Sequence, residues 1–553
     1  MHITPIGAEA VPDATGQNLW RADPAFARLL PLYLPPELLA VLMPQLDRLG
    51  ALAGGALDAW AGTADRNPPV LHHRTRRGED AQRVEYHPAY REMERLAFGE
   101  FGLAAMSHRA GVFGWPAPLP PAAKYALTFL FAQAEFGLLC PVNMTDSLAR
   151  TLRRFGSPEL VERYLPLLAS QDMDALHQGA MFMTEQGAGS DIAATAVTAE
   201  PANDGTHRLH GDKWFCSNVD AELALVLARR VGAAPGLKGV GLFLLPRTLP
   251  DGTANAYRIV RLKEKLGTRS MASGEIRLEG AKAWLIGDPD AGFKQMADMV
   301  NSSRLSNAVR AAGMMRRAMT EALHVARYRT AFGKRLIEMP LMRRQLAKML
   351  LRAEQARAMV FQTAEALRCS DAGGGGALLR ILTPLVKFRA CRDARQVTAD
   401  AMEVRGGCGY IEEWPEARLL RDAHLGSIWE GTSNIIALDV LRAAQREAGF
   451  EALSAHIHGL LRAAPLKGAG GALERAARLL EAAQHDPALA RTAASALYHI
   501  TSAAALAWEA ARTSDPHRAA LARMVLTHRV LPRDPLAVED PDAAHLLALL
   551  AAA

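Results

Sequence analysis

The sequence has few cysteines, and their spacing does not pair them. Five cysteines are scattered along 553 residues, their number is odd, and none stands in a Cys-x-x-Cys arrangement. This distribution argues against a disulfide framework and against a zinc site, so no metal is expected. The scarcity of cysteine therefore predicts a protein of a reducing compartment, and a chain of this length is stabilised by its buried core.

The sequence also lacks a long apolar run and a marked excess of either charge. Its N-terminus has no basic segment followed by an apolar one, and the apolar stretch of residues 126–142 is interrupted by Gln133 and Glu135. These absences argue against a signal peptide and a membrane span, so we expect a cytoplasmic protein with no membrane partner. The 64 Lys and Arg residues against 58 Asp and Glu residues give a formal charge of +6, which permits an anionic partner without indicating a nucleic-acid binder.

Hydrophobic spacing changes twice along the chain. Apolar residues recur every three or four positions over residues 35–168, which predicts an all-α opening segment. Between residues 181 and 287 the pattern shortens to five strand-like runs separated by Gly, Asp, Asn and Pro, which predicts a small β-barrel or sandwich. From residue 293 onwards long helical stretches return, as expected for a helical bundle.

The predicted fold is therefore of the α+β class, with helical segments before and after a β domain. We expect an N-terminal helical domain at residues 1–180, a central β-barrel domain at 181–290, a helical bundle at 291–445 and an extra helical domain at 446–553. Four consecutive glycines, Gly373–Gly376, fall between two bundle helices. Because no Lys-Ser/Thr follows them and no strand precedes them, they predict a flexible connection instead of a phosphate loop.

One carboxylate is the candidate catalytic group, in the segment RDAHLGSIWEGTSNI at residues 421–435. Glu430 lies between a bulky aromatic residue, Trp429, and a run of small residues that begins with Gly431. An apolar ring beside a carboxylate removes solvent and raises its pKa towards the range of a general base. The glycine that follows allows the backbone to approach a ligand closely. A buried structural acid is the alternative interpretation of Glu430.

Two motifs of the predicted β domain contain residues suited to a flat heterocycle. In MTEQGAGSD the glycines free the backbone, while Thr184 and Ser190 offer hydroxyl groups to a ring edge and a pyrophosphate. In KWFCSN, Phe215 and Ser217 are two residues apart on a strand-like run, so they share a face and could stack on a ring and bond its edge. An ordinary loop and a half-buried strand are the respective alternatives.

Two further motifs lie at the ends of long helices. In RYRTAFGK, Arg329 and Lys334 flank Phe332 and a glycine, an arrangement that can grip a phosphate beside a stacking ring. The alternative is a solvated helix end with favourably placed cations. In EVRGGCGY, Gly406 and Gly407 allow close approach to a ligand, with a helix-terminating turn as the alternative.

In this order and layout, the motifs resemble those of the acyl-CoA dehydrogenase family of flavoproteins, over roughly residues 125–442. The most specific pieces are MTEQGAGSD, RTAFGK, RGGCGY and IWEGTSN, because their coincidence is much rarer than any one of them. The long opening segment, the KWFCSN motif and the extra C-terminal helices are similar to the AidB-like adaptive-response branch, which is linked to DNA alkylation damage.

The resemblance implies that the protein binds FAD. Thr184 would bond the flavin ring, Phe215 stands where many members have a tryptophan packed on that ring, and Ser217 stands where a threonine bonds flavin N5. The cofactor-binding residues that the resemblance implies are Met183, Thr184, Gly189, Ser190, Phe215, Ser217, Arg329, Phe332, Gly406, Gly407, Trp429, Thr432 and Asn434.

The resemblance also implies an assembly of subunits. Arg329 and Phe332 match the family's RxxF element, which would grip the FAD of a neighbouring subunit, so a homotetramer is expected. Gly406 and Gly407 would fit the adenosine end of FAD, although Glu403 replaces a frequent glutamine there.

The implied reaction is α,β-dehydrogenation of an acyl-CoA thioester. Glu430 matches the family's base and would remove the α proton, while the β hydride passes to flavin N5 and an electron-transfer flavoprotein reoxidises the cofactor. The backbone N–H of Glu430 and a ribityl hydroxyl would stabilise the enolate charge. Some members carry the base on an earlier helix, at a position near Ser303 and Arg304 here. Neither residue is acidic, so Glu430 is the sole candidate base.

The AidB-like resemblance offers an alternative function, a flavoprotein that binds double-stranded DNA and has low or incidental dehydrogenase activity. A locally basic strip near the C-terminus is the candidate DNA contact, since phosphate neutralisation needs several cations on one face. The strip consists of Arg512, Arg518, Arg523 and Arg529. A solvated helix packed on its neighbours is the other interpretation of this strip.

Overall fold

The computed structural model describes residues 11–532, 534, 536, 542 and 545–553. The α-helices of these residues are α1 (Pro24–Leu29), α2 (Pro36–Ala53), α3 (Ala56–Arg66), α4 (Pro88–Glu94), α5 (Pro121–Phe131), α6 (Leu139–Phe155), α7 (Pro158–Leu168), α8 (Gly292–Tyr328), α9 (Pro340–Asp371), α10 (Ala377–Arg405), α11 (Pro415–Gly426), α12 (Ser433–Arg446), α13 (Gly449–Ala463), α14 (Ala469–His485), α15 (Ala490–Thr513), α16 (Pro516–Val525) and α17 (Leu546–Ala552). The β-strands are β1 (Val70–Arg74), β2 (Asp80–Glu85), β3 (Gly179–Phe182), β4 (Thr198–Pro201), β5 (His207–Ser217), β6 (Leu223–Arg230), β7 (Val240–Pro246), β8 (Tyr257–Leu262), β9 (Ser273–Leu285), β10 (Thr330–Ala331) and β11 (Lys334–Arg335).

These elements form two compact units. The barrel unit comprises residues 57–128 and 135–306, and the bundle unit comprises the described residues of 1–56, 129–134 and 307–553. The α+β class and the succession of helices, β domain and helices are confirmed. None of the helices in the described part of the chain combines the length and apolar character that a membrane span requires.

Seven strands of the barrel unit form one sheet in the order β3-β5-β4-β6-β7-β9-β8. Additional pairings of β3 with β6 and of β5 with β9 join the strands into a closed, barrel-like circuit. The apolar runs LALVLARR of β6 and VGLFLLP of β7 are buried along most of their length, as expected for strands covered on both faces. The predicted β-barrel is therefore confirmed, and the five strand-like runs lie in β5 to β9.

The opening segment is not all-α, which corrects the prediction for residues 35–168. β1 and β2 pair as an antiparallel hairpin in the barrel unit, with a turn at residues 75–79. Most side chains of this hairpin are exposed and polar, so it lacks the alternation of apolar residues that reveals a half-buried strand. The four-residue strands β3 and β4 also gave too short a pattern to be predicted.

The bundle unit is built on the long helices α9 and α10, which pack against each other and against α15. The glycine-rich segment after Asp371 connects α9 to α10 as predicted, with positive φ angles at Gly373 and Gly375. The C-terminal helices α13 to α15 pack on α10 and α12 within this unit. The division into four domains stays a prediction.

A network of buried charges crosses the core of the bundle unit. Asp23 lies within 2.6 Å of Arg357 and 3.2 Å of Arg316, and these two guanidinium groups outweigh the effect of burial and hold the pKa of Asp23 below its usual range. Arg357 also pairs with Glu354. Charges buried this deeply are tolerated only when each has partners.

Arg518 belongs to this network, which corrects its assignment to a DNA-facing strip. Its side chain is 3% exposed and forms ion pairs with Glu354, at 2.8 Å, and with Glu509. Glu509 also accepts a hydrogen bond from the hydroxyl of Tyr33, at 3.0 Å. The sequence did not reveal that the face of α16 with Arg518 points into the core. A buried guanidinium cannot neutralise DNA phosphates.

We expect the change Arg518→Ala to lower the free energy of unfolding by about 3–5 kcal/mol, because it leaves the buried Glu509 carboxylate without its cation and removes one of the two cations of Glu354. Urea unfolding followed by circular dichroism measures the loss. The matched control is Arg523→Ala, an exposed arginine of the same helix, for which a change of less than about 0.5 kcal/mol is expected. Equal stabilities of the two variants would contradict the structural role of Arg518.

Candidate functional site

Glu430 lies in the turn between α11 and α12, and its backbone is in the left-handed region with φ of 49°. This conformation is unfavourable for a residue with a side chain and persists only where the surroundings enforce it. Gly431 follows with φ of 109°, and a Cβ atom there would come within 3.0 Å of the Ile436 side chain. The turn therefore requires glycine at position 431 and holds Glu430 in a strained conformation.

The Glu430 carboxylate is oriented by two residues of α8. The side-chain amide of Asn307 donates to Oε2 of Glu430 at 2.5 Å, and the Arg310 guanidinium donates to Oδ1 of Asn307 at 2.8 Å. Asn307 and Arg310 are three residues apart, so they share a helix face, and both are completely buried. A hydrogen-bonded chain thus runs from a buried cation through an amide to the candidate base.

Sequence reasoning missed Asn307 and Arg310. Ser303 and Arg304, the positions at which an alternative base was considered, lie one turn earlier on the same helix. The available signal was a pair of strongly polar residues three apart in the apolar context of residues 305–315, since a buried polar residue needs a partner.

Trp429 contacts the same buried guanidinium. The Arg310 guanidinium carbon lies 4.8 Å from the centroid of the Trp429 ring, within the range of a cation–π contact. The half-buried Trp429 was expected to act as an apolar neighbour of Glu430. In the structure its ring also helps to fix Arg310, and through Arg310 and Asn307 the position of the carboxylate.

Residues of α10 fasten the turn from another direction. The Lys387 ammonium donates to the carbonyl oxygen of Gly431 at 2.5 Å, and the Arg392 guanidinium donates to the hydroxyl of Ser433 at 3.2 Å. The Cys391 thiol of the same helix contacts the backbone carbonyl of Asn307, and burial raises the pKa of this thiol to about 11. Cys391 is therefore a neutral neighbour at physiological pH.

The remaining predicted residues of this turn are open to a ligand. Thr432 and Asn434 have exposed side chains at the start of α12. Together with Trp429 and Glu430 they form one continuous segment, so the structure brings these four predicted residues together.

Arg329, Phe332 and the glycines after α10 form a second group in the bundle unit. Nη1 of Arg329 donates to the carbonyl oxygen of Arg405 at 3.1 Å, which places Arg329 beside Gly406. Gly406 ends α10 with φ of 76°, and no atom lies within 4 Å of a Cβ built on Gly406 or Gly407. Phe332 occupies the turn of the β10–β11 hairpin, and its side chain is 97% exposed.

The barrel unit holds the predicted residues of the MTEQGAGSD motif on a loop that follows β3. The backbone N–H of Trp214 donates to the carbonyl oxygen of Thr184 at 2.8 Å. Gly189 and Ser190 are exposed, and the space beside Gly189 is open. The loop therefore presents its backbone and its hydroxyl groups at an accessible surface.

A buried ion pair, also missed by sequence reasoning, supports this loop. The fully buried Lys213 ammonium lies 2.7 Å from Glu185 and donates to the carbonyl oxygen of Met183 at 3.1 Å. Burial lowers the pKa of Lys213. Glu185 in turn accepts the backbone N–H groups of Ala196 and Val197. The available signal was a lysine at the start of the strand-like run KWFCSN, because a lysine in a buried strand requires such a partner.

Burial alternates from Phe215 to Ser217, but the register of β5 against β9 shifts between Lys213 and Cys216, an irregularity that the sequence did not predict. Phe215 is 54% exposed, Cys216 between them is completely buried, and Ser217 is half-buried. The Ser217 hydroxyl lies 3.4 Å from the hydroxyl of Ser273. The Lys263 ammonium lies 4.8 Å from the Phe215 ring, a cationic contact that the sequence did not indicate.

The basic strip is only partly available on the surface. Arg512 at the end of α15 and Arg523 on α16 are exposed, whereas Arg529 is half-buried and burial lowers its pKa. The helical conformation is interrupted between α15 and α16 at Asp515, whose side chain caps α16. Arg512 and Arg523 therefore do not share a single helical stripe.

Three family models match the chain. The adaptive response protein AidB N-terminal domain matches residues 9–175, the acyl-CoA dehydrogenase middle domain matches residues 180–281, and the acyl-CoA dehydrogenase C-terminal domain matches residues 290–445.

Two proteins and one solved structure are similar to this chain over most of its length. AidB of Escherichia coli (strain K12) is 35% identical over 465 residues, which are 82% of this chain and 81% of that protein. Acyl-CoA dehydrogenase family member 11 of Caenorhabditis elegans is 32% identical over 440 residues, which are 77% of this chain and 71% of that protein. The crystal structure of Caenorhabditis elegans ACDH-11 in complex with C11-CoA superposes with a TM-score of 0.88 at 28% identity, covering 96% of this chain and 95% of that one.

Proposed function

The chain belongs to the acyl-CoA dehydrogenase family, in its AidB-like branch, and we propose that it catalyses the FAD-dependent α,β-dehydrogenation of an acyl-CoA thioester with Glu430 as the base. The observation that carries this proposal is the hydrogen bond from Asn307 to a carboxylate held in a strained turn. The structural relative solved with C11-CoA supports an acyl-CoA as the class of substrate.

Removal of the α proton requires a base in a fixed position, because the α proton of a thioester is only weakly acidic. The Asn307 amide holds one oxygen of the Glu430 carboxylate, and Arg310 fixes the amide through its carbonyl oxygen. A base oriented in this way reaches the α carbon without a loss of rotational freedom at each turnover. The backbone N–H of Glu430 is proposed to donate to the thioester carbonyl oxygen, where negative charge develops.

The residues proposed to hold FAD have the chemistry that this cofactor requires. Phe215 offers an exposed ring face, Thr184 and Ser217 offer hydroxyl groups, and the space beside Gly189 admits a ligand. Met183, Ser190, Trp429, Thr432 and Asn434 are proposed to complete the contacts. FAD would supply the hydride acceptor that protein side chains lack.

We also propose that the protein is a homotetramer that passes its electrons to an electron-transfer flavoprotein. Support for a subunit contact comes from Phe332, whose aromatic side chain is almost fully exposed at the tip of a hairpin, where a neighbouring subunit could cover it. Arg329 and Phe332 would contact the FAD of a neighbouring subunit. Gly406 and Gly407 would contact the adenosine end of FAD.

The DNA-binding alternative gains no support from the arginine strip on which it rested. Of the strip that motivated it, Arg518 is buried in ion pairs and Arg529 is half-buried, which leaves Arg512 and Arg523 exposed on separate helices. Two dispersed cations neutralise too few phosphates to define a binding face.

We expect Glu430→Gln to slow the reduction of bound flavin by acyl-CoA by a factor of about 10²–10⁴, because the amide cannot accept the α proton. The measurement is anaerobic titration of the purified yellow protein with a panel of acyl-CoAs, in which reduction bleaches the flavin. Glu413→Gln, which changes an exposed glutamate of the same unit, is the control and should bleach like the wild type. Unchanged bleaching in the Glu430→Gln variant would show that Glu430 is not the base. The absence of bleaching in the wild type would refute the proposed dehydrogenase activity.

We expect Asn307→Ala to lower kcat about a hundredfold with little change in KM, since the carboxylate loses its orientation while the substrate contacts remain. The kinetic isotope effect with α-deuterated acyl-CoA should rise, because proton removal becomes slower relative to other steps. Asn301→Ala, a change on the same helix, is the control. A rise in KM alone, with kcat and the isotope effect unaltered, would show that Asn307 does not position the base.

A further inference from the structure

The barrel unit contains a cavity of about 940 Å³ beneath the β1–β2 hairpin. The hairpin forms one wall, and the opposite wall comes from Tyr164 of α7, His177, the start of β6 and the end of β7. None of the residues proposed above to bind FAD or acyl-CoA lines this cavity. Its volume lies in the range of pockets that bind small molecules.

Arginine dominates the charge of the cavity. Arg74, Arg76 and Arg83 approach from the hairpin, and Arg247 approaches from the end of β7. The carboxylates in the lining are Asp220 and Glu222. Four guanidinium groups face these two carboxylates, and Glu85, which pairs with Arg83, reduces the excess to one positive charge even when the imidazoles of the cavity are neutral.

The two carboxylates already have hydrogen-bond donors of their own. Asp220 accepts the hydroxyl of Tyr86 at 2.7 Å, and Glu222 accepts the backbone N–H of Gln178 at 2.7 Å. Among the hairpin arginines, Arg83 is paired with Glu85 at 2.9 Å. None of these acids forms an ion pair with Arg74, Arg76 or Arg247 in the described part of the chain.

Three of the arginines keep donors for a ligand. Arg247 donates through one nitrogen to the carbonyl oxygen of Gln82, but its buried Nη1 has no hydrogen-bond partner among the described residues. Arg74 donates to the carbonyl oxygen of Gly78 and, like Arg76, forms no ion pair with the described part of the chain. A buried guanidinium nitrogen without an acceptor is costly, and an anion would satisfy it.

We propose that this cavity binds a phosphorylated small molecule through Arg74, Arg76 and Arg247. Guanidinium groups match the geometry of phosphate oxygens, and several of them converging on one space favour a ligand with more than one anionic oxygen. His72 and His177 add ring nitrogens at the same walls. The proposal is independent of the dehydrogenase activity, because it concerns different residues.

The test is isothermal titration calorimetry of the flavin-loaded, full-length protein with inorganic pyrophosphate and, separately, with ADP. We expect saturable binding of pyrophosphate that weakens about tenfold in Arg76→Gln and again in Arg247→Gln, as expected for the loss of charge-assisted hydrogen bonds. Arg208→Gln removes an exposed arginine of the same unit that does not line the cavity, and it should bind like the wild type. Tighter binding of ADP than of pyrophosphate, with the same loss in the variants, would identify a nucleotide as the ligand class. Weaker binding of ADP would identify a smaller phosphate.

Two results would overturn the proposal. One is the absence of measurable binding of both probes to the wild-type protein. The other is binding that Arg76→Gln leaves unaltered or that Arg208→Gln weakens to the same extent, since the heat would then report general charge. Arg76 is exposed and far from the hydrophobic core, so its variant tests the cavity even where Arg247→Gln disturbs the hairpin.

Discussion

The hydrogen bond between Asn307 and Glu430 is the interaction on which the geometry of the candidate site depends. The backbone of Glu430 is in the left-handed region, which is strained for a residue other than glycine. Such strain persists only when surrounding contacts enforce it. The amide of α8, the cation beneath it at Arg310 and the Lys387 ammonium on the next carbonyl supply those contacts. The contacts that maintain the backbone strain of the turn therefore also fix the direction of the Glu430 carboxylate. A fixed direction is what the proposed removal of a proton from carbon requires.

Buried cations recur as the means by which both units position their loops. In the barrel unit, Lys213 holds the loop after β3 through Glu185 and a backbone carbonyl. In the bundle unit, Arg310 sits beneath the Glu430 turn, and Arg518 ties α16 to the helices around it. Each cation has acceptors or an aromatic face, since an unpaired charge at such depth would destabilise the fold.

Much of the fold could be predicted from the sequence, because apolar periodicity is local. Continuous apolar runs such as β6 and the long spacing of α9 and α10 identified the barrel and the bundle. The β1–β2 hairpin could not be predicted, since its side chains are polar and its stability comes from pairing and from contacts such as the one between Arg247 and Gln82. The same distinction applies to the site. Glu430 could be identified from its neighbours in the sequence, whereas Asn307 is 123 residues away and reaches Glu430 only through the packing of the fold. The prediction that Arg518 faces DNA was wrong, because a charged residue in a sequence does not show whether its face of the helix is buried.

We propose that Glu430 removes a proton from the α carbon of an acyl-CoA, and hydrogen exchange measures that step alone. A suitable compound is 3,3-dimethylbutanoyl-CoA, which has α hydrogens but none on the β carbon, so no hydride can leave. Incubation of the flavin-loaded protein with this thioester in D₂O, followed by mass spectrometry, counts the deuterium gained at the α carbon. We expect exchange with the wild-type protein and none above the uncatalysed rate with Glu430→Gln. Exchange at the same rate with both proteins would show that Glu430 is not the base.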